Sequence, residues 1–110
     1  MTGKSDISVK KKLPPSLIVN DDSPDFGVYP ITEAESIIGR NPDTDIQLSH
    51  DATISRQHFK VIKTSANYRI VDMKSANGTF VNGVKITETE LHDKDEIHAG
   101  QTKILFRKGS

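Results

Sequence analysis

Gly39-Arg40, Ser55-Arg56-Gln57-His58, Ser75-Ala76-Asn77-Gly78-Thr79 and Asn82-Gly83 punctuate the stretch from Gly39 to Gly83. Between them lie short runs whose apolar residues alternate, Ile46-Gln47-Leu48, Phe59-Lys60-Val61 and Tyr68-Arg69-Ile70-Val71-Asp72. A period of two sends successive side chains to opposite faces, as in a half-buried strand. The polar clusters therefore fall on the connections, where a rigid β scaffold presents its binding groups.

The same pattern continues outward. Ser16-Leu17-Ile18-Val19 reads as a first strand, and Asn20 to Asp25, dense in turn formers, as a loop. Val28, Pro30 and Ile31 suggest a short second strand that Pro30 keeps at an edge or an end. Glu33 to Ile38 leads into a third strand that stops at Gly39. Asn41 to Asp45 and Ser49 to Arg56 are loops. In the run from His58 to Ile62, Phe59 and Val61 share one side, and His58, Lys60 and Ile62 the other. Thr79-Phe80-Val81 and Val84-Lys85-Ile86 flank Asn82-Gly83, the strongest short hairpin signal, because a type I′ turn needs positive φ at both central residues. Ile86 to Leu91, Glu96 to Ala99 and Thr102 to Phe106 complete the series. No window long enough for a helix holds a 3.6-residue period. The expectation is an all-β sandwich of two twisted, mainly antiparallel sheets with about 10–11 short strands.

The 110 residues suit one domain, and 34% hydrophobic with 5% aromatic residues implies a modest, mostly aliphatic core. Lys+Arg and Asp+Glu are both 15. That balance argues against a nucleic-acid partner, which normally demands a basic excess, and leaves room for a local basic pocket. The absence of cysteine excludes disulfides and thiolate metal sites. No apolar run approaches the ~20 residues that cross a bilayer, and the start lacks the apolar segment of a secretory signal. A soluble, cytoplasmic protein with no membrane partner is expected. Residues 1–14, with Lys4, Lys10, Lys11 and Lys12 against Asp6, read as a flexible polar tail ahead of a domain over 15–108.

Arg40 follows a glycine that ends a strand, so its guanidinium starts at a sheet rim. A planar, always charged fork matches phosphate oxygens. The bland alternative is a surface arginine paired with Asp43 or Asp45. Ser55 offers a hydroxyl beside the cation of Arg56, and together they can hold and neutralise a phosphate oxygen; alternatively Ser55 caps its own turn. A Ser55–His58 catalytic pair lacks both a Gly-x-Ser-x-Gly elbow and an oxyanion site. His58 reads better as a brace hydrogen-bonded to loop backbone. The amide of Asn77 can donate to one backbone group of a bound segment and accept from another. Gly78, Asn82 and Gly83 are turn residues. His50, His58, His92 and His98 lack metal-ligand spacing, and no phosphate-cradling Gly-x4-Gly-Lys loop is present. Neither a metal nor a cofactor is expected.

In order and spacing, Ile38-Gly39-Arg40, Ile46-Gln47-Leu48, Ile54-Ser55-Arg56-Gln57-His58, Tyr68 to Asp72 and Ser75 to Gly83 together resemble the forkhead-associated (FHA) domain. The likeness runs from about Leu17 to Phe106, through Leu91, Asp93-Lys94-Asp95, Ile97, Gly100 and Leu105-Phe106. It implies a sandwich whose loops at one end bind phosphothreonine in a partner protein, with Ser/Thr-kinase substrates as the source of that partner and no enzymatic activity. On this resemblance Arg40 and Ser55 hold the phosphate with Arg56 near it, and Asn77 bonds the peptide main chain. Gly39 and His58 fix the loops, and Asn82 shapes the hairpin. Ala76 stands where many members carry a hydroxyl or larger polar residue that also touches the ligand, so one contact is lost or ligand preference shifts. The alternative is an FHA-like scaffold that meets its partners without phosphate.

Overall fold

The computed structural model describes residues 13–20 and 22–109. The tail expected over residues 1–14 therefore lies, apart from Leu13 and Pro14, outside the described residues.

Eleven strands form among the described residues: β1 (Ser16–Val19), β2 (Gly27–Pro30), β3 (Glu35–Gly39), β4 (Ile46–Gln47), β5 (Phe59–Lys63), β6 (Tyr68–Asp72), β7 (Thr79–Val81), β8 (Val84–Ile86), β9 (Glu88–Leu91), β10 (Glu96–Ala99) and β11 (Thr102–Arg107). They build a six-stranded sheet in the order β2-β1-β11-β10-β7-β8 and a five-stranded sheet in the order β4-β3-β5-β6-β9. The alternation read from the sequence appears as alternating burial, clearest in Phe59 and Val61 on β5 and Thr102, Ile104 and Phe106 on β11. The inward faces meet in one mostly aliphatic core that includes Leu17, Ile38, Phe59, Ile70, Ile97 and Phe106. Tyr68 packs on Phe106 with ring centroids 5.3 Å apart.

Asn82 and Gly83 have φ of 51° and 84°, the positive pair that a type I′ hairpin requires. Asn82 adds a tertiary tie: its Nδ2 donates to Asp95 Oδ1 at 2.9 Å and its Oδ1 accepts from Glu96 N–H at 3.0 Å. Pro30 ends β2, an edge strand, where its missing N–H breaks no ladder bond.

The mainly antiparallel expectation holds, and one other expectation, the placing of His58, needs correction. All sheet pairings are antiparallel except β3–β4, which is parallel and only two residues long. The intervening turn closes with Thr44 N–H on Asn41 O at 3.1 Å, and Asp45 folds back so that its carboxylate accepts Ile37 N–H at 2.7 Å. His58, which the alternation places with Lys60 and Ile62, is fully buried. It sits just before β5, where loops cover the sheet end and parity along the strand no longer decides exposure.

Candidate functional site

Three connections are stitched together at one end of the sandwich, mainly through backbone groups. Arg40 N–H donates to Ser55 O at 3.0 Å and Asn41 N–H to Arg56 O at 3.1 Å, joining the β3–β4 loop to the β4–β5 loop. Gly39 makes this approach possible: a Cβ there would stand 2.7 Å from the Arg56 carbonyl carbon, nearer still to its oxygen, and 2.9 Å from Gln57 Cα. His58 ties in the third connection, the loop between β6 and β7. Its Nδ1 accepts Ser55 N–H at 3.0 Å, so the ring proton lies on Nε2, which donates to Gly78 O at 2.9 Å. Both ring nitrogens are occupied by backbone, and neither meets Ser55 Oγ. This is the geometry of a brace and not of a general base.

These ties bring together Arg40, Ser55 and Asn77. Arg40 is partly exposed; its Nε donates to Ile54 O at 2.9 Å, which fixes the guanidinium plane and leaves both Nη groups without a protein partner among the described residues. The predicted competitors do not take it: Asp45 is spent on Ile37 N–H, and no ion pair joins Arg40 to Asp43 among the described residues. Ser55 Oγ accepts Ala76 N–H at 2.9 Å. Accepting there leaves the hydroxyl proton to donate elsewhere, and it shows what Ala76 still supplies without a side-chain hydroxyl. Asn77, exposed, donates through Nδ2 to Thr53 O at 2.8 Å. Half of its amide thus holds the loop, and its Oδ1 remains open among the described residues. Arg56 is exposed, with its side chain free of ion pairs among the described residues. Gly78 is buried within the site, its N–H bonded to Ser75 Oγ at 3.0 Å. Asn82 and Gly83 lie apart from it, at the other end of β7.

Sequence reasoning missed three carboxylates that support these loops. Asp72 accepts Ser75 Oγ at 2.6 Å, Thr79 Oγ1 at 2.7 Å and Ser75 N–H at 3.2 Å, which folds the start of the loop that carries Asn77. Asp51 accepts Thr53 N–H at 2.9 Å and the Thr53 hydroxyl, and then reaches Gln101 N–H and Thr102 Oγ1, both at 2.8 Å. It clips the β4–β5 loop to the β10–β11 turn. Asp25, buried, holds the same loop from the β1–β2 side through His50 N–H at 3.0 Å and His50 Nδ1 at 2.8 Å. The Asp-x-x-Ser and Asp-x-Thr spacings of Asp72 and Asp51 were the available signals, since such side chains bond backbone two or three residues on.

Burial opposes ionisation of Asp51 and of Asp72, yet the bonds each receives outweigh it and hold both carboxyls below the ordinary 3.8. A depressed folded-state value contributes stability above the unfolded value and loses it as pH falls through the folded one. The contribution of these two carboxylates should therefore be constant from about pH 5 to 8 and be lost only below about pH 4. Asp72→Ala should lose about 1–2 kcal/mol at pH 7, and thermal melts should show parent and variant converging near pH 2–3. A difference that persists unchanged at that pH would show that the carboxylate is not what holds the loop.

A two-sheet sandwich with loops at one end laced around an exposed arginine, serine and asparagine defines a β-sandwich recognition module. Within that class the chain belongs to the FHA family: the FHA-domain model matches residues 36–100. The chain is 33% identical over 109 residues to the glycogen accumulation regulator GarA of Mycobacterium tuberculosis, a match covering 96% of this chain and 67% of GarA. It is thus about two thirds as long as that relative. A solved structure from the analysis of phosphothreonine-dependent FHA domain interactions superposes with a TM-score of 0.79 at 32% identity, covering 86% of this chain and 96% of that one. Mycobacterium tuberculosis EmbR, in complex with a low-affinity phosphopeptide, superposes with a TM-score of 0.80 at 31% identity over 87% of this chain and 24% of EmbR. No helix among the described residues is long and apolar enough to cross a membrane.

Proposed function

We propose that this chain is a phosphothreonine-dependent binding module that docks phosphorylated segments of partner proteins and performs no chemistry on them. The observation that carries the reading is the orientation of Ser55. Its oxygen is occupied by Ala76 N–H, so its proton is free for an acceptor at the mouth where Arg40 exposes two Nη groups. A phosphate monoester offers three acceptor oxygens and about −1.5 to −2 charge at pH 7. Arg40 and Ser55 bind that group with Arg56 adding positive charge, and the open Oδ1 of Asn77 accepts an N–H of the ligand main chain. Gly39, His58 and Gly78 hold the loops in place. The family and the phosphothreonine-dependent and phosphopeptide-bound relatives support the same reading. The partner is then the product of a Ser/Thr kinase.

Two or three charge-assisted bonds of roughly 1.5–3 kcal/mol each, less the ordering of a flexible peptide, place affinity near micromolar. Titration calorimetry of phosphothreonine peptides selected from an oriented library, beside their dephosphorylated forms, tests this. Binding is expected only for the phosphorylated forms. It should weaken below about pH 6 as the phosphate takes up its second proton, well above the range in which Asp51 and Asp72 lose their hold on the loops. Equal affinity for both forms would support a scaffold that meets its partners without phosphate.

A further inference from the structure

Lys85 occupies a place the pocket reading does not use. It faces Phe80 across the β7–β8 pair, and Gly78 lies just before β7. A long side chain at position 85 can therefore reach back toward Gly78. The lysine stem takes that path: a Cβ on Gly78 would stand 2.8 Å from Lys85 Cε, 3.5 Å from Cδ and 3.6 Å from Nζ. The glycine leaves open the path by which this ammonium reaches the rim beside Asn77.

The charges around it are unbalanced in a chain whose formal net charge is zero. On the sheets Lys60 pairs with Glu35 at 3.5 Å, Arg69 with Glu88 at 2.8 Å and Arg107 with Asp93 at 3.5 Å, while Lys63 and Lys103, which lie away from this loop, have no ion pair among the described residues. Lys85 has no ion pair among the described residues, and neither does Lys74, exposed in the loop that carries Asn77. The nearby carboxylates of Asp72 and Asp51 are committed to hydroxyls and backbone N–H groups. Arg40 and Arg56 suffice for one phosphate dianion. Lys85 lies over Gly78, next in sequence to Asn77, the group assigned to the ligand main chain, and Lys74 is in the same loop; neither has an ion pair among the described residues.

Building on the proposed function, we infer that Lys85, assisted by Lys74, is a specificity residue that selects ligands with a second anionic side chain within a few residues of the phosphothreonine. That side chain is a carboxylate or a second phosphate. The pair is solvent-exposed, so its effect is modest: about a three- to fivefold gain in affinity, shrinking as salt rises.

The test uses the full chain and one phosphothreonine peptide with neutral flanks. Single glutamates are placed in turn at three positions on either side, and each peptide is measured by fluorescence anisotropy. At one register the parent should bind the glutamate peptide about three- to fivefold more tightly than the neutral one. Lys85→Met, which keeps the stem over Gly78, should lose that gain while binding the neutral phosphopeptide within about twofold of the parent. Lys85→Glu should instead favour lysine at that register. Phosphoserine there distinguishes the two anion sources: a gain with both probes supports either anion, and a gain with phosphoserine alone assigns the locus to a second phosphate. The inference is overturned if the parent binds the neutral phosphopeptide but gains from neither anion at any register. It is also overturned if Lys85→Met weakens every peptide alike, since the stem would then only support the loop. Failure of the parent to bind any phosphothreonine peptide removes the pocket reading itself, and this inference with it.

Discussion

Arg40→Ala should weaken binding of a phosphothreonine peptide by at least about 100-fold while lowering Tm by no more than about 8 °C. The two effects separate because Arg40 does two unequal things. To the fold it gives one side-chain hydrogen bond, Nε to Ile54 O at 2.9 Å, at a partly exposed site, and such a bond contributes about 1 kcal/mol. For a domain of this size that corresponds to roughly 4–8 °C. To a phosphate it would give two charge-assisted bonds, about 1.5–3 kcal/mol each, and each 1.4 kcal/mol is about tenfold in Kd. Arg40→Lys sharpens the argument. It keeps the charge and removes the fork, so an intermediate loss of about tenfold distinguishes bidentate recognition from bulk attraction. Ser55→Ala should cost about 10- to 30-fold. It removes the donor, while Ala76 N–H, on an exposed residue, can turn to water. Calorimetry with melts on the same samples measures both quantities. If Arg40→Ala and Ser55→Ala bind as the parent does, the pocket has been assigned to the wrong residues.

What the sequence disclosed follows the range of the interactions. The Asn82-Gly83 turn was legible because its requirement is local, two positive φ values in succession, and the structure has them. Alternating strands were legible because a buried face imposes its own period, and the burial of β5 and β11 follows it. Arg40, Ser55 and Asn77 converge only through the fold, so the residues alone could nominate them but not join them; the order of the family's motifs did that. Only the local half of Asp51's role, its Asp-x-Thr turn, had a sequence signal, for a related reason. Its partners Gln101 and Thr102 are 50 and 51 residues away, and no periodicity links them. His58 shows the limit of alternation: its backbone role was legible, but its full burial depends on the β6–β7 loop that receives its Nε2 proton.

Gly39→Ala should be the most damaging single-methyl change at the site, with a loss of about 3 kcal/mol, some 15 °C in Tm, and at least tenfold in affinity. The added Cβ meets main chain: the Arg56 carbonyl and Gln57 Cα. A flexible side chain could swing aside, but this backbone is pinned. Arg40 N–H holds Ser55 O, Asn41 N–H holds Arg56 O, and His58 N–H holds Ile38 O at 2.9 Å. Relieving the overlap means pulling the β4–β5 loop away from β3 and stretching those bonds, which is why the upper end of overpacking costs applies. The segment displaced is the one that carries Ser55 and Arg56, so affinity must fall with stability even where the variant remains folded. Gly83→Ala supplies the contrast. Its φ is 84°, so alanine there is strained, but nothing lies within 4 Å of the new methyl. It should lose only about 1–2 kcal/mol, the ordinary cost of a left-handed conformation, and leave affinity unchanged because the hairpin is at the far end of β7. Melts and titrations of the two variants side by side therefore read close approach against backbone strain. Equal destabilisation in both, or parent-like affinity in Gly39→Ala, would mean that the β3 terminus does not set the position of the loop bearing Ser55.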